Sequence, residues 1–263
     1  MAFYADIAII GSGNVAWHLT RALEEAGHHI HEVYSRNTKN AQSLVSKLYS
    51  TNVAKSLDFS NSEATLFIIA VSDDAIEEVA SDLIIPKNAT VVHTSGSASI
   101  EILNGITNHY GVLYPFQSFS KSRKVNFKDV SILVEASDKE TNKLLLRLGG
   151  TISDKVVPMD SAKRSALHIS AVFASNFTNH LLLIAKQIAT ANKIDFELLE
   201  PLIIETVNKS LENGPEKSQT GPAARGDLKI LDQHLSFLEG NAPVQEIYKL
   251  LSQHILDQKY YDK

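Results

Sequence analysis

Residues 7–16, Ile-Ala-Ile-Ile-Gly-Ser-Gly-Asn-Val-Ala, constrain this chain more tightly than any other stretch. A short apolar run delivers the backbone into the pattern G-x-G-x-x-A, carried by Gly11, Gly13 and Ala16. A helical pattern follows at once in Val15, Leu19, Ala22, Leu23 and Ala26, and Gly27 stops it. Strand, tight turn and helix in that order open a βαβ unit that binds a dinucleotide. Gly11 permits the turn, Gly13 lets the backbone approach a pyrophosphate, and Ala16 keeps the helix close to its strand. The unpaired N–H groups at the helix start then face the phosphates. Gly11, Ser12, Gly13, Asn14 and Val15 are therefore expected to hold a cofactor.

The next apolar run indicates which dinucleotide. Residues 30–35 (Ile-His-Glu-Val-Tyr-Ser) read as a strand, followed by Arg36, Asn37 and Thr38. An acid at the strand end would take the ribose hydroxyls of NAD and repel a 2′-phosphate. Ser35 and Arg36 instead offer a hydroxyl and a guanidinium suited to bidentate phosphate contact. NADP is expected over NAD, with Ser35, Arg36 and Asn37 at its ribose; the alternative for Arg36 is a solvated loop residue. Glu32 is a suitable distance from Gly11 but sits mid-strand.

At 263 residues the chain can hold one such α/β domain and a smaller partner. A net charge of −5 argues against a nucleic-acid backbone or an anionic membrane as main partner. The absence of cysteine excludes thiol catalysis, disulfides and cysteine metal sites, and suits a reducing cytoplasm. Residues 1–20 show no signal pattern and no apolar run reaches membrane-spanning length, so a cytoplasmic protein is expected. His28, His29 and His31 are not expected to bind metal. They span a helix-to-strand junction, alternate strand positions face opposite ways, and no thiolate or well-spaced carboxylate joins them.

Strand patterns at 6–11, 30–35, 66–71, 90–94, 111–114 and 130–134 alternate with helical ones at 14–26, 38–48, 74–83 and 138–148. This predicts a doubly wound, mostly parallel sheet with helices on both faces. Gly149-Gly150 and a short strand near 151–156 close it. Beyond Pro158 the chain reads as helical: one long segment over 160–192, then 195–212, 227–238 and 243–258. Two domains are expected, an α/β domain over 1–157 and an all-helical one over 158–263.

Ligands of open parallel sheets sit at the carboxyl ends of the strands. Ala70, Val71 and Ser72 are thus expected along the cofactor, with Asp73 or Asp74 capping the next helix. His93, Thr94, Ser95 and Gly96 end another strand near the place of hydride transfer; Ser95 and Thr94 can bond a substrate carbonyl or carboxylate, or simply form a turn. Phe116 and Phe119 read as packing groups, and Gln117 as a polar side chain within reach of a ligand. On the long helix, His168, Ser175, Asn176 and Asn179 fall within roughly a 100° arc at 3.6 residues per turn. His168 is a candidate proton donor or acceptor, or a hydrogen-bonded core residue, and Asn176 a candidate for orienting a substrate oxygen. Arg225, in Thr220-Gly-Pro-Ala-Ala-Arg-Gly-Asp227, is a candidate anion anchor or a clasp for Asp227, which is itself placed to cap a helix.

With these residues in view, the chain resembles a Rossmann-like family of NADP oxidoreductases that carries a C-terminal DUF2520 domain. It is more distantly similar to pyrroline-5-carboxylate reductase, the 6-phosphogluconate dehydrogenase group and deazaflavin-dependent NADP reductases. The resemblance rests on Ile10–Ala16, Tyr34-Ser35-Arg36, Ala70–Asp74, His93–Gly96, Pro115–Phe119, Ala174–Phe177 and Thr220–Asp227. It implies NADP(H) binding, the same two-domain architecture and dimerisation through the helical domain. The hydroxyacid-dehydrogenase relatives carry a catalytic Lys four residues before an Asn on this helix. Here Val172 stands four before Asn176, so that mechanism does not transfer. The expected activity is hydride transfer to or from a small imine, ketone or hydroxy acid held between the domains, with His168, Asn176, Ser95 and Arg225 serving it. The alternatives are a non-catalytic NADP(H) sensor and a deazaflavin-dependent reductase.

Overall fold

An apolar run without polar alternation is satisfied only by a strand covered on both faces, and β1 (Asp6–Ile10) is such a strand. The computed structural model describes residues 3–261. Ile7 and Ile9 join one core with Leu19, Leu23 and Leu145, while Ala8 and Ile10 join a second core with Phe67, Ile69 and Ile76. Alternate residues of β1 thus serve opposite faces of the sheet, as a strand period of two requires.

Among the described residues the sheet has eight strands in the order β3-β2-β1-β4-β5-β6-β7-β8. The others are β2 (His29–Tyr34), β3 (Asn52–Ala54), β4 (Leu66–Ile69), β5 (Thr90–His93), β6 (Tyr110–Phe116), β7 (Ser131–Ala136) and β8 (Val156–Pro158). All neighbours are parallel except β6 and β7. β1 lies between β2 and β4, so the chain reverses its direction of winding there and opens a crevice at their carboxyl ends.

The helices of this unit are α1 (Asn14–Glu25), α2 (Thr38–Val45), α3 (Ile76–Asp82) and α4 (Lys139–Ile152), followed by α5 (Ser161–Ala171). Two expectations need correction. Gly149 and Gly150 lie inside α4 rather than ending it, and the closing strand comes later, at β8. A Cβ on Gly149 would stand 3.0 Å from the Val156 side chain, so this glycine lets helix and strand pack closely. The three-residue edge strand β3 is also unforeseen; its sequence is too short and too polar to signal itself.

The chain divides into two compact units after Ser175. The first therefore takes in α5, beyond the expected boundary near residue 157. The helical run continues through a π-helical turn, Val172–Phe177, into α6 (Thr178–Ala191). The wider turn breaks the 3.6-residue phase, so a stripe projected from His168 to Asn179 does not hold across it. The second unit also contains α7 (Glu200–Asn213), α8 (Pro215–Ser218), α9 (Pro222–Arg225), α10 (Leu228–Phe237) and α11 (Ala242–Tyr261). It buries Ile184, Leu231 and Leu238 but leaves Leu198, Leu202, Val207, Leu211 and Leu250 exposed. Contrary to expectation, the helical run Ser161–Ala191 is long and apolar enough to cross a membrane, with a window of mean hydropathy 1.2. The guanidinium of Arg164 near its start is fully buried against the sheet, which marks that end as a protein-packing helix.

Candidate active site

The glycine-rich turn shapes the first half of the site. Gly11 has φ +126°, and a Cβ there would stand 2.2 Å from the Ala70 carbonyl oxygen. Only glycine lets β1 pass so close to the end of β4. Gly13 has an ordinary backbone conformation, and a Cβ on it would meet nothing within 4 Å. The two glycines therefore differ in purpose: Gly11 serves the fold, and Gly13 leaves free space at the start of α1.

That space is a cleft of about 550 Å³ at the carboxyl ends of β1, β2 and β4. Residues 11–15, 35–37 and 70–72 line it, so Gly11, Ser12, Gly13, Asn14, Val15, Ser35, Arg36, Asn37, Ala70, Val71 and Ser72 are brought together. The Ser12 and Ser35 hydroxyls are 2.7 Å apart, tying the glycine turn to the end of β2. Asn37 caps α2 by accepting from the Lys39 amide at 3.0 Å. Glu32 is not among the lining residues; it accepts from the Ser62 hydroxyl at 2.7 Å. The free space at Gly13, the helix start of α1 without a side-chain cap and the Arg36 guanidinium fit a dinucleotide with a 2′-phosphate. Thr94 is not in the lining; it is buried, and its amide donates to the Ile69 carbonyl at 3.1 Å. A larger cavity of about 680 Å³ beside α1, bordered by Arg21, Lys121, Arg123 and Lys124, holds none of the expected site residues.

The second half of the site is a turn held from below. His93 is fully buried at the end of β5. Its Nδ1 accepts from the Ser95 amide at 3.1 Å, so its Nε2–H faces the Ser99 carbonyl at 3.3 Å. Burial, reinforced by the nearby Arg164 charge, lowers its pKa from 6.5 to about 4, and the ring stays neutral. Ser95 is buried and accepts from the Ser97 and Ala98 amides at 3.1 and 2.9 Å, so its oxygen shapes the turn. Asp73 does not cap a helix; its carboxylate accepts from the Ser97 hydroxyl at 2.5 Å and joins the β4 and β5 loops. Arg164 of α5 pairs with Glu135 of β7 and donates to the Ala98 carbonyl at 2.5 Å. Ser161 donates to the same Glu135 carboxylate at 2.8 Å.

Above this turn stands a pair that sequence spacing does not announce. The Tyr114 hydroxyl of β6 lies 3.0 Å from His168 Nδ1 of α5. A Cβ on Gly96 would stand 2.6 Å from that nitrogen and 2.8 Å from the Tyr114 ring, so Gly96 makes room for the pair. Burial, and then the charge of Asp73, raise the Tyr114 pKa above its usual 10, against the opposing pull of Arg164. The phenol stays protonated. Tyr114 lies in the Tyr-Pro-Phe-Gln segment, where the sequence singles out Gln117 as the polar candidate. Gln117 instead accepts from the neighbouring Ser118 amide at 2.8 Å, while Phe119 stacks on His18 and Phe127 as a packing group.

Asn176 lies in the π-helical turn and is exposed, at the first residue of the second unit. Arg225, also in the second unit, donates from Nε to the Asp227 carboxylate at 2.8 Å. Asp227 makes no side-chain cap on α10, so the expected cap is replaced by this clasp.

Comparison with known proteins agrees with this geometry. A Rossmann-like domain family matches residues 4–115, and a domain of unknown function, DUF2520, matches residues 130–255. No curated, characterised protein sequence matches the chain. Among solved structures, a "putative NADP oxidoreductase" of Bacteroides fragilis is 37% identical, with TM-score 0.90 over 96% of this chain and 98% of that one. A Thermotoga maritima protein is 25% identical, with TM-score 0.73 over 95% and 99%. An imine reductase of Myxococcus stipitatus in complex with NADP+ shares the fold, at 16% identity and TM-score 0.65 over 96% and 92%. With this motif, this sheet order and that identity over nearly its whole length, the chain belongs to the same family as the Bacteroides fragilis protein, a Rossmann-like domain followed by DUF2520.

Proposed function

We propose that this protein is an NADP(H)-dependent oxidoreductase that moves a hydride to or from a small imine, ketone or hydroxy acid, with Tyr114 and His168 handling the accompanying proton. The observation that carries the reading is the 3.0 Å contact between Tyr114 of β6 and His168 of α5 over Gly96, whose neighbour Ser97 donates to Asp73, the residue that follows the cleft-lining segment 70–72. NADPH supplies the hydride when bound. With His168 protonated on Nδ1, the imidazole donates to the Tyr114 oxygen and frees the phenol hydrogen for the substrate. In reduction that proton moves to the substrate nitrogen or oxygen as its carbon gains hydride, and water restores it to the pair; oxidation runs the same transfer backwards. Ser95 fixes the turn beneath the pair.

Cofactor choice follows from Ser35 and Arg36 at the end of β2, with Glu32 engaged elsewhere. The imine reductase and reductive aminases that share the fold in complex with NADP+ or NADPH support imines and ketones as the first substrates to try. A homodimer through the helical unit is supported by its exposed Leu198, Leu202, Val207 and Leu211, since an apolar face of that kind marks an association surface. Sedimentation at micromolar concentration checks it. The cysteine-free chain suits a reducing cytoplasm.

The test is a fluorescence titration with NADPH and NADH, followed by a screen of the NADPH complex against cyclic imines, ketones and oxo acids. Turnover that falls at least a hundredfold in both Tyr114→Phe and His168→Ala, with NADPH affinity kept within about threefold, is the expected result. Tight NADPH binding with no turnover on any compound would replace this reading with a non-catalytic sensor.

A further inference from the structure

The amino edge of the sheet, opposite the cleft, carries a second constellation. Asp6 opens β1 and pairs in register with His29, which opens β2. The register then slips beside Ile7 and Ala8, leaving His31 as the extra residue of the parallel ladder. Such a slip re-aims a side chain, and here it turns the His31 ring toward Asp6. Asp6 Oδ1 lies 2.9 Å from His31 Nε2 and 3.7 Å from His29 Nδ1. These separations bracket the spacing of about 3.4 Å between two ligand atoms on a tetrahedral zinc ion with bonds near 2.1 Å. Among the described residues, no other three histidine or carboxylate groups converge in this way.

The other ring nitrogen of His31 adds a second observation. His31 Nδ1 lies 3.7 Å from the exposed Glu63 carboxylate, outside hydrogen-bond distance but close enough to close onto the ring when Nε2 takes a metal. A carboxylate on the far nitrogen of a ligating histidine fixes its tautomer and raises its basicity. The three ligand side chains are graded in exposure, His31 at 17%, Asp6 at 50% and His29 at 71%, so an ion there has a protein-held side and an open side for water. His28 is excluded: it turns inward, its Nδ1 accepting from the Ala5 amide and its Nε2 meeting Thr151. Sequence spacing alone offers these histidines no carboxylate partner, which is why no metal is expected from it. The missing donor is Asp6, supplied across the ladder from the neighbouring strand.

We propose that Asp6, His29 and His31 bind a divalent transition-metal ion of the zinc type at the amino edge of the sheet, with Glu63 orienting His31. Its donors are imidazole and carboxylate, as they must be in a chain without cysteine. The length of β1, about 16 Å, separates this site from Gly11. The ion therefore fastens β1 to β2 and takes no part in hydride transfer.

Tag-free protein is titrated with Zn²⁺ against a chromophoric chelator, and separately with Co²⁺ while visible absorption is recorded. One tight equivalent per chain and the intense bands of four-coordinate cobalt are expected. His29→Gln, whose side chain is largely exposed and leaves the fold intact, and Asp6→Asn each weaken that equivalent at least tenfold. Glu63→Gln weakens it but keeps the stoichiometry at one, and His254→Gln, at an exposed histidine elsewhere, leaves it unchanged. Thermal unfolding supplies a readout independent of colour, with a midpoint about 5 °C higher at a hundredfold excess of Zn²⁺ over its Kd. Zinc affinity unaltered by both His29→Gln and Asp6→Asn, or cobalt that keeps the weak spectrum of its six-coordinate aquo ion, overturns the proposal.

Discussion

Substituting alanine for Gly13 separates the two uses of glycine in the cofactor turn. Gly13 has φ −71° and ψ −170°, which alanine adopts without strain, and its Cβ would meet no protein atom within 4 Å. As the N-cap of α1, alanine is poorer than glycine by up to about 1 kcal/mol. The stiffer unfolded chain returns about 0.4–1 kcal/mol, so the fold should change stability by less than about 1 kcal/mol. The same methyl enters the free space that the proposed function gives to the pyrophosphate, and NADPH affinity should fall at least tenfold, about 1.4 kcal/mol. Gly11→Ala provides the contrast. Its Cβ would stand 2.2 Å from one backbone oxygen and 2.6 Å from the attached carbon, at φ +126°. Backbone cannot yield as a flexible side chain does, and overpacking together with strained dihedrals should cost about 3–5 kcal/mol. Urea unfolding and NADPH fluorescence titration, run on both variants, read the two quantities separately. If Gly13→Ala binds NADPH as wild type does, or is destabilised as much as Gly11→Ala, the division of labour assigned to the two glycines is wrong.

Four further outcomes follow from the geometry. Arg36→Ala should lower the preference for NADPH over NADH at least tenfold while leaving NADH affinity within about threefold, measured by paired titrations. His93 takes its proton near pH 4 in the folded chain and near 6.5 in the unfolded one, so the unfolded state binds more protons between those values. Its contribution is therefore intact above pH 6.5 and is lost as pH falls toward 4, at about 1.4 kcal/mol per unit and about 3 kcal/mol in all; denaturant curves at pH 7 and 4.5 should show a smaller difference for His93→Gln than for wild type. Removing Glu135 as Glu135→Ala strands the fully buried Arg164 and should cost about 3–5 kcal/mol in urea unfolding, whereas exposed Lys163→Ala should cost under 1. Asp138 caps α4 through the Glu140 and Thr141 amides at 2.8 and 3.0 Å, and Asp138→Ala should lower stability by about 1–2 kcal/mol.

The lining of the cleft was legible because its determinants are local. Gly11, Gly13, Ser35, Arg36 and residues 70–72 each follow a strand end, and a doubly wound sheet gathers successive parallel strand ends along one edge. Knowing that each segment is strand, turn and helix is enough to bring them together. The apolar runs and the helical period carried the order of elements for the same reason, since a period of two or of 3.6 is visible within a few residues. Where the expectations failed locally, the signal was too short or was overridden by packing, as at β3 and at Gly149, where close approach to Val156 outweighs the poor helix propensity of glycine.

The second half was settled only by tertiary structure. Tyr114 and His168 meet across 54 residues, Glu135 and Arg164 across 29, and Asp6 reaches His31 across 25. In none of these pairs does residue type or spacing select one partner from its competitors. Strand order, sheet twist and a one-residue register slip decide which side chains converge, and those are properties of the assembled sheet. Residue order alone dictates that β1 runs into a tight glycine turn and a helix, and so into a cleft at the strand's carboxyl end. The fold decided which hydroxyl faces the imidazole of His168, and which carboxylate faces the histidines at the sheet's other edge.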